Sequence, residues 1–276
     1  MKALILGDVH LDRWTEAGRD PFAALTVEDW EELDGVFIAG DLSDKPRVRW
    51  KYAIRHLARH VDPGRIHIIP GNHDYYDFQL DRDARLAEVA TAEGAQLAQT
   101  AEVIVGGIRF LCCTLWTDFA LHGNVSGSQA IARERMNDYR YIRNATAGYR
   151  KIRPFETVQV HQAHRAWLED RLSRPYPGRT VVITHHCPHN NLISDTPGEL
   201  DPVYGSDLTA MIDRFRPHAW FFGHTHHRVE ATEGATLIKN VSVGYPDELA
   251  PGSERAVLRR GLLEMDEDLG TRAAAQ

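Results

Sequence analysis

Five short apolar runs in this chain stop at residues of the kinds that bind metals, and that repetition constrains the fold more than any other feature. "KALIL" leads into Gly7, Asp8 and His10, and "GVFIA" into Gly40, Asp41 and Asp44. "IHII" leads into Pro70, Gly71, Asn72, His73 and Asp74. "TVVIT" ends at His185 and His186, and "AWFF" at Gly223, His224, His226 and His227. Runs this short, bounded by Gly or Pro, read as buried strands. One such ending is an ordinary turn, because Asn and Asp form turns readily. Five together have no such explanation.

The intervening segments read as helices: 27–34, 50–60, 82–94 with Gly94 as a stop, 158–174 and 207–215. Strands alternating with helices predict an α/β sheet whose loops gather at one edge. Ligands of such sheets bind outside the carboxyl ends of the strands, which places the five endings in one cleft. Further strands are predicted at 102–105, 108–115, 227–231, 235–243 and 256–265. Residues 1–270 read as a single domain, with a frayed tail at 271–276.

The chain has 276 residues, enough to bury a sizeable core, and a formal net charge of -7. That charge argues against nucleic acid and anionic membranes as partners. Cys112, Cys113 and Cys187 form neither a disulfide framework nor a CxxC zinc pair. The N-terminus lacks the pattern of a signal peptide, and no segment is long enough to span a membrane. A soluble, cytoplasmic protein is expected.

Gathered in one cleft, Asp8, His10, Asp41, Asn72, His185, His224 and His226 make an oxygen-and-nitrogen donor set without thiolate. Such a set suits Mn, Fe, Zn, Ni or Co. It is too large for one structural zinc, which takes four ligands, and fits two ions sharing a carboxylate. Two divalent cations carry four positive charges, against three negative ones from two aspartates and a bridging hydroxide. The remainder is a seat for a phosphate oxyanion, and such a pair stabilises both the attacking and the leaving oxygen.

The motifs D-x-H (Asp8, His10), G-D-x-x-D (Gly40 to Asp44), G-N-H-D (Gly71 to Asp74), T-H-H-x-P (Thr184 to Pro188) and G-H-x-H (Gly223 to His226) occur in that order. In this the chain resembles the calcineurin-like metallophosphoesterase superfamily. The resemblance implies an α/β fold, a four-layer αββα sandwich of two packed mixed sheets flanked by helices, with the metal site at the strand C-terminal ends. It implies that Asp8, His10 and His226 hold one metal, that Asn72, His185 and His224 hold a second, and that Asp41 bridges them. Either His185 or His186 could ligate, and the family pattern favours His185. His73 would face the phosphate as a catalytic group, and Asp74 would orient its imidazole and raise its pKa. Asp44 and His189 are candidates to orient the ligands. His56, His60, His161 and His164 fall outside the motifs and read as surface or core residues.

A segment at about 119–157 looks like an inserted basic loop or lid. Residues 121–155 carry seven basic side chains (Arg133, Arg135, Arg140, Arg143, Arg150, Lys151, Arg153) against Glu134 and Asp138, interleaved with tyrosines. This composition suits either a substrate lid, as long insertions often are, or a solvated helix with spare arginines. Asn190, Asn191 and Tyr204 border the cleft from a second loop. The expected function is hydrolysis of small phosphodiesters such as cyclic nucleotides, by attack of a metal-bridging hydroxide. The alternatives are a phosphomonoesterase or nucleotide pyrophosphatase and, in another class, a non-catalytic metal-binding scaffold.

Overall fold

The computed structural model describes residues 1–265, so the tail expected at 271–276 lies outside the described residues. Along the chain come β1 (Lys2–Leu6), α1 (Leu11–Glu16), α2 (Val27–Glu31), β2 (Gly35–Ala39), α3 (Pro46–Leu57), β3 (Ile66–Ile69), α4 (Asp83–Ala92) and β4 (Gln96–Leu97). Next are β5 (Ala101–Val105), β6 (Ile108–Cys113), α5 (Val125–Arg135), α6 (Asp138–Tyr141), β7 (Arg143–Asn144), β8 (Arg150–Lys151), α7 (Pro154–Ser173) and β9 (Thr180–Thr184). The last are α8 (Asp201–Tyr204), α9 (Thr209–Phe215), β10 (Ala219–Phe222), β11 (Glu230–Glu233), β12 (Thr236–Asn240), α10 (Glu254–Arg259) and β13 (Leu262–Glu264).

The strands form two mixed sheets, in the order β13-β1-β2-β3-β4 and β11-β12-β10-β9-β6-β5. Side chains alternate across a strand with period two, and here both sets are apolar. In β1, Ala3 and Ile5 face the second sheet, while Leu4 and Leu6 join the core under the helices. In β10, Ala219 and Phe221 face the first sheet, while Trp220 and Phe222 join the outer core with Leu168 of α7 and Ile212 of α9. The result is helix, sheet, sheet, helix, the four-layer α/β sandwich that was expected.

The two sheets meet at the strand ends that carry the motifs. Gly7 N–H donates to Val241 O (2.9 Å), and Val243 N–H donates to Gly7 O (2.8 Å). These bonds tie the end of β1 to the segment after β12, and Asp8 itself accepts from the His224 N–H in the loop after β10.

The predicted strand at 256–265 is corrected. Residues 254–259 are helical and only 262–264 pair with β1. Arg255 and Arg259, four apart, both reach Asp29 (2.6 and 3.0 Å), and Leu258 fills the core between them. Those contacts require helical spacing. The segment at about 119–157, expected as an inserted loop or lid, forms α5, α6, the short β7–β8 hairpin and the start of α7.

Candidate metal centre

Three of the strands, β1, β2 and β10, deliver their candidate ligands by a sharp reversal. Asp8, His10, Asp41, His224 and His226 all have positive φ, between 43° and 64°. For residues other than Gly this costs on the order of 1–3 kcal/mol each, and it folds the side chains back across the strand ends. The space they enter is tight. A Cβ at Gly71 would overlap Asp41 Oδ1, and one at Gly40 would overlap the His185 ring. Glycine follows these strands because the neighbouring ligand packs directly on the backbone.

Two donor groups result. In the first, His226 Nε2 lies 3.4 Å from both Asp8 Oδ1 and His10 Nε2. In the second, His185 Nε2 lies 2.9 Å from Asn72 Oδ1 and 3.5 Å from Asp41 Oδ1. Asp41 belongs to both, its Oδ2 being 3.7 Å from His10 Nε2. The donor atoms of Asp8, His10 and His226 converge within 4.8 Å of one another, as do those of Asp41, His185 and His224 and those of His10, Asp41 and His73.

Surrounding groups aim these ligands. Ser242 Oγ and the His224 N–H donate to Asp8 Oδ2 (2.6 and 2.8 Å). Ala39 O lies 3.0 Å from His185 Nδ1, and Glu248 Oε2 lies 2.7 Å from His226 Nδ1. A partner on Nδ1 selects the tautomer that leaves Nε2 with its lone pair facing the centre. The neighbouring His186 faces Thr114 O instead (3.1 Å) and packs on Trp116, so His185 is the histidine that reaches Asp41. Cys187 Sγ points to His189 O, and His189 pairs with Glu233 away from the cluster. His227 pairs with Asp195.

The electrostatics call for a cation. Burial, and then the negative charge of Asp8, push the Asp41 carboxyl well above its usual range. Burial drives His10 and His224 far below the usual histidine value and His185 down to about 4. His224 Nε2 is buried without a hydrogen-bond partner among the described residues. Burial also opposes charge on Asp8 and His226, but their mutual attraction outweighs it. Asp8 falls below the carboxylate range and His226 rises to about 10. Close carboxylates, facing imidazole nitrogens and an orphaned ring nitrogen fit divalent metal.

Asp74 requires a correction. Its carboxylate does not touch the His73 ring. It accepts from Gly71 N (2.8 Å), Asp41 N (2.8 Å), Ser43 N (3.2 Å) and Trp50 Nε1 (2.8 Å), stapling the loop after β3 to the loop after β2. Burial raises it to about 6, with those donors working in the opposite direction. His73 Nδ1 lies instead 2.8 Å from Asp44 Oδ1.

Sequence reasoning missed several contributors. Tyr245 stacks on His10 at 4.4 Å between ring centroids, Glu248 backs His226, and Asp138 holds the Asn72 amide. No motif spacing marks them, for they come from segments remote in sequence.

A cleft of about 400 Å³ opens over the centre, walled by Tyr76, Met136, Asn137, Leu200, Tyr204 and Tyr245. Among the seven basic residues of 121–155 only Arg135 lines it, paired with Glu199 (3.2 Å). Tyr204 is in this wall, whereas Asn190 and Asn191 are not. His161 and His164 are core residues. His56 pairs with Asp20, and His60 stacks on Trp30.

The family model of calcineurin-like phosphoesterases matches residues 1–228, a span that takes in every one of these candidate ligands. The chain belongs to the calcineurin-like phosphoesterase family. Members of that family are hydrolases of phosphate esters that bind divalent metals. The fold is similar to the crystal structure of phosphopantetheinyl hydrolase from Mycobacterium tuberculosis, with 18% identity, 90% of each chain covered and a TM-score of 0.68. A novel archaeal phosphodiesterase is similar at 14% identity, with 91% of this phosphoesterase and 88% of that chain covered and a TM-score of 0.39. No curated protein sequence matches the chain.

Proposed function

We propose that this phosphoesterase is a dinuclear enzyme that hydrolyses small phosphodiesters such as cyclic nucleotides. The observation that carries the reading is Asp41, one carboxylate reaching both donor groups, 3.7 Å from His10 Nε2 and 3.5 Å from His185 Nε2. On this reading Asp8, His10 and His226 hold one ion, Asn72, His185 and His224 hold the other, and Asp41 bridges. Mn, Fe, Zn, Ni and Co all suit these ligands. Bound ions would supply Lewis-acid charge to phosphoryl oxygens and lower the pKa of water.

The remaining chemistry falls to the chain. With Nδ1–H held by the Asp44 carboxylate, His73 in its protonated form also carries a proton on Nε2, which it can donate to a non-bridging or leaving oxygen at the cleft floor. The ring is braced between Tyr76 (4.2 Å) and the edge of His10 (4.8 Å).

Two features support a diester. Arg135 is the one Arg or Lys among the described cleft-lining residues, and Glu199 already neutralises it. A singly charged phosphate suits such a wall better than a dianionic monoester. Tyr204, Tyr245, Leu200 and Met136 then offer apolar and aromatic surface to an organic arm such as a nucleoside. The likeness to a phosphopantetheinyl hydrolase adds pantetheinyl phosphate esters to the compounds worth testing. No helix among the described residues is long and apolar enough to cross a membrane, and the three cysteines are free. Both fit the cytoplasmic setting included in this proposal.

The test is a paired assay on metal-stripped protein reloaded with Mn, comparing bis-p-nitrophenyl phosphate with p-nitrophenyl phosphate. Metal-restored turnover chiefly of the diester is the expected result. A preference for the monoester would overturn the diester assignment. Silence on both substrates with metal bound would favour a scaffold.

A further inference from the structure

We propose that Asp138, carried by the inserted segment, is a positioning residue that fixes which end of the Asn72 amide faces the metal centre. The inference rests on the two-ion reading above. An asparagine amide has two ends of nearly equal size, and only the carbonyl oxygen can ligate a cation. Turned by half a rotation, Asn72 would present an NH2 group to the ion and lose its function without any change of shape.

The surroundings decide between the two. Asn72 Nδ2 donates to Asp138 Oδ1 at 2.8 Å and to Tyr76 OH at 3.3 Å. Tyr76 OH in turn donates to the same Asp138 oxygen at 2.7 Å. An ionised carboxylate accepts only, so the NH2 end must lie on this side, and Oδ1 is left 2.9 Å from His185 Nε2. Asp138 is 1% exposed, so water does not compete for its oxygen.

Asp138 opens α6, immediately after Arg135, Met136 and Asn137, which wall the cleft. The piece of chain that meets the substrate therefore also holds a metal ligand. Docking of the insertion and occupancy of the Asn72 side of the centre are coupled, and such coupling is reciprocal.

The experiment titrates metal-stripped protein with Mn²⁺, following bound ion by electron paramagnetic resonance. The unsubstituted protein should take up two ions; fewer would count against the two-ion reading itself. Asp138→Ala should weaken one of the two ions by about 10–100-fold, the usual effect of losing a group that orients a ligand, and leave the other unchanged. Unchanged affinities for both ions in this variant would overturn the proposal. In Asn72→Asp, whose carboxylate has no wrong end, adding Asp138→Ala should produce no such loss. An equal loss in that background would mean a general structural role and overturn it too.

One measurement needs no metal. In the metal-free protein the Asn72 Nδ2 protons, which donate to Asp138 Oδ1 and Tyr76 OH, should exchange slowly with water as followed by nuclear magnetic resonance, and Asp138→Ala should speed that exchange. Exchange unaffected by the substitution would overturn the assignment.

Discussion

His73 Nδ1 sits 2.8 Å from Asp44 Oδ1, while the carboxylate of the adjacent Asp74 turns away to bind four backbone N–H groups and the Trp50 indole. The two aspartates therefore have different tasks, and substitution separates them. Asp44→Ala should lower kcat by about 10–100-fold with little change in melting temperature, since besides the His73 ring it frees only the exposed Arg13 guanidinium. Asp74→Ala should cost stability first. Each buried donor left unsatisfied costs about 1–3 kcal/mol, and the variant leaves several. Thermal melts beside steady-state kinetics check both outcomes. A stable, slow Asp74→Ala paired with an unstable Asp44→Ala would reverse the assignment.

Asp41→Asn should both slow the enzyme and reduce its metal content. The substitution removes one negative charge from the atom pair shared by the two donor groups. Elemental analysis after dialysis should find fewer than two ions per chain, with turnover of the diester abolished. Full activity in this variant would end the bridging role.

His73→Ala should keep its metal and lose about 10²–10⁴-fold in rate, as expected for an acid–base group. The loss should shrink for p-nitrophenyl esters, whose leaving group needs little protonation. Equal losses for good and poor leaving groups would instead mark His73 as an electrostatic stabiliser of the transition state. A series of aryl and alkyl esters distinguishes the two.

The buried histidines predict a pH dependence of stability. His164 accepts from Leu115 N (3.2 Å), and burial, helped by nearby His161, lowers it to about 3. Unfolded, it titrates near its ordinary value of 6.5. Its neutral form is thus what folding requires. The associated stability is fully present above about pH 6.5 and is lost as pH falls towards 3, by up to about 1.4 kcal/mol per unit. Urea unfolding of metal-free protein at pH 7 and pH 5 should show the loss, and His164→Gln should reduce the slope by about one proton. An unchanged slope would assign the loss to other groups.

How much of this was legible in the sequence differs from residue to residue. The alternation of Ala3, Leu4, Ile5 and Leu6 between two cores, and the repeated Gly followed by Asp or His at strand ends, are local patterns. A period-two apolar run buried on both faces already implies a sandwiched sheet, and a strand end implies a loop at the common edge. From these an α/β sheet and the seven convergent side chains could be read, while the four-layer sandwich was implied by the motifs' resemblance to a known family. The helix at 254–259 could not, because Val257 and Leu258 suit a strand until Asp29 draws Arg255 and Arg259 to one side.

The pairing of functional groups was decided by tertiary structure alone. Asp74 is next to His73 in sequence, yet Asp44, 29 residues away, holds its ring. Asp138 reaches Asn72 across 66 residues, and Glu248 reaches His226 across 22. A sequence carries the period of a strand and the residue types in a loop. Which oxygen meets which nitrogen depends on the direction of each side chain, and here that direction is set by backbone reversals at positive φ and by the packing of one loop on another.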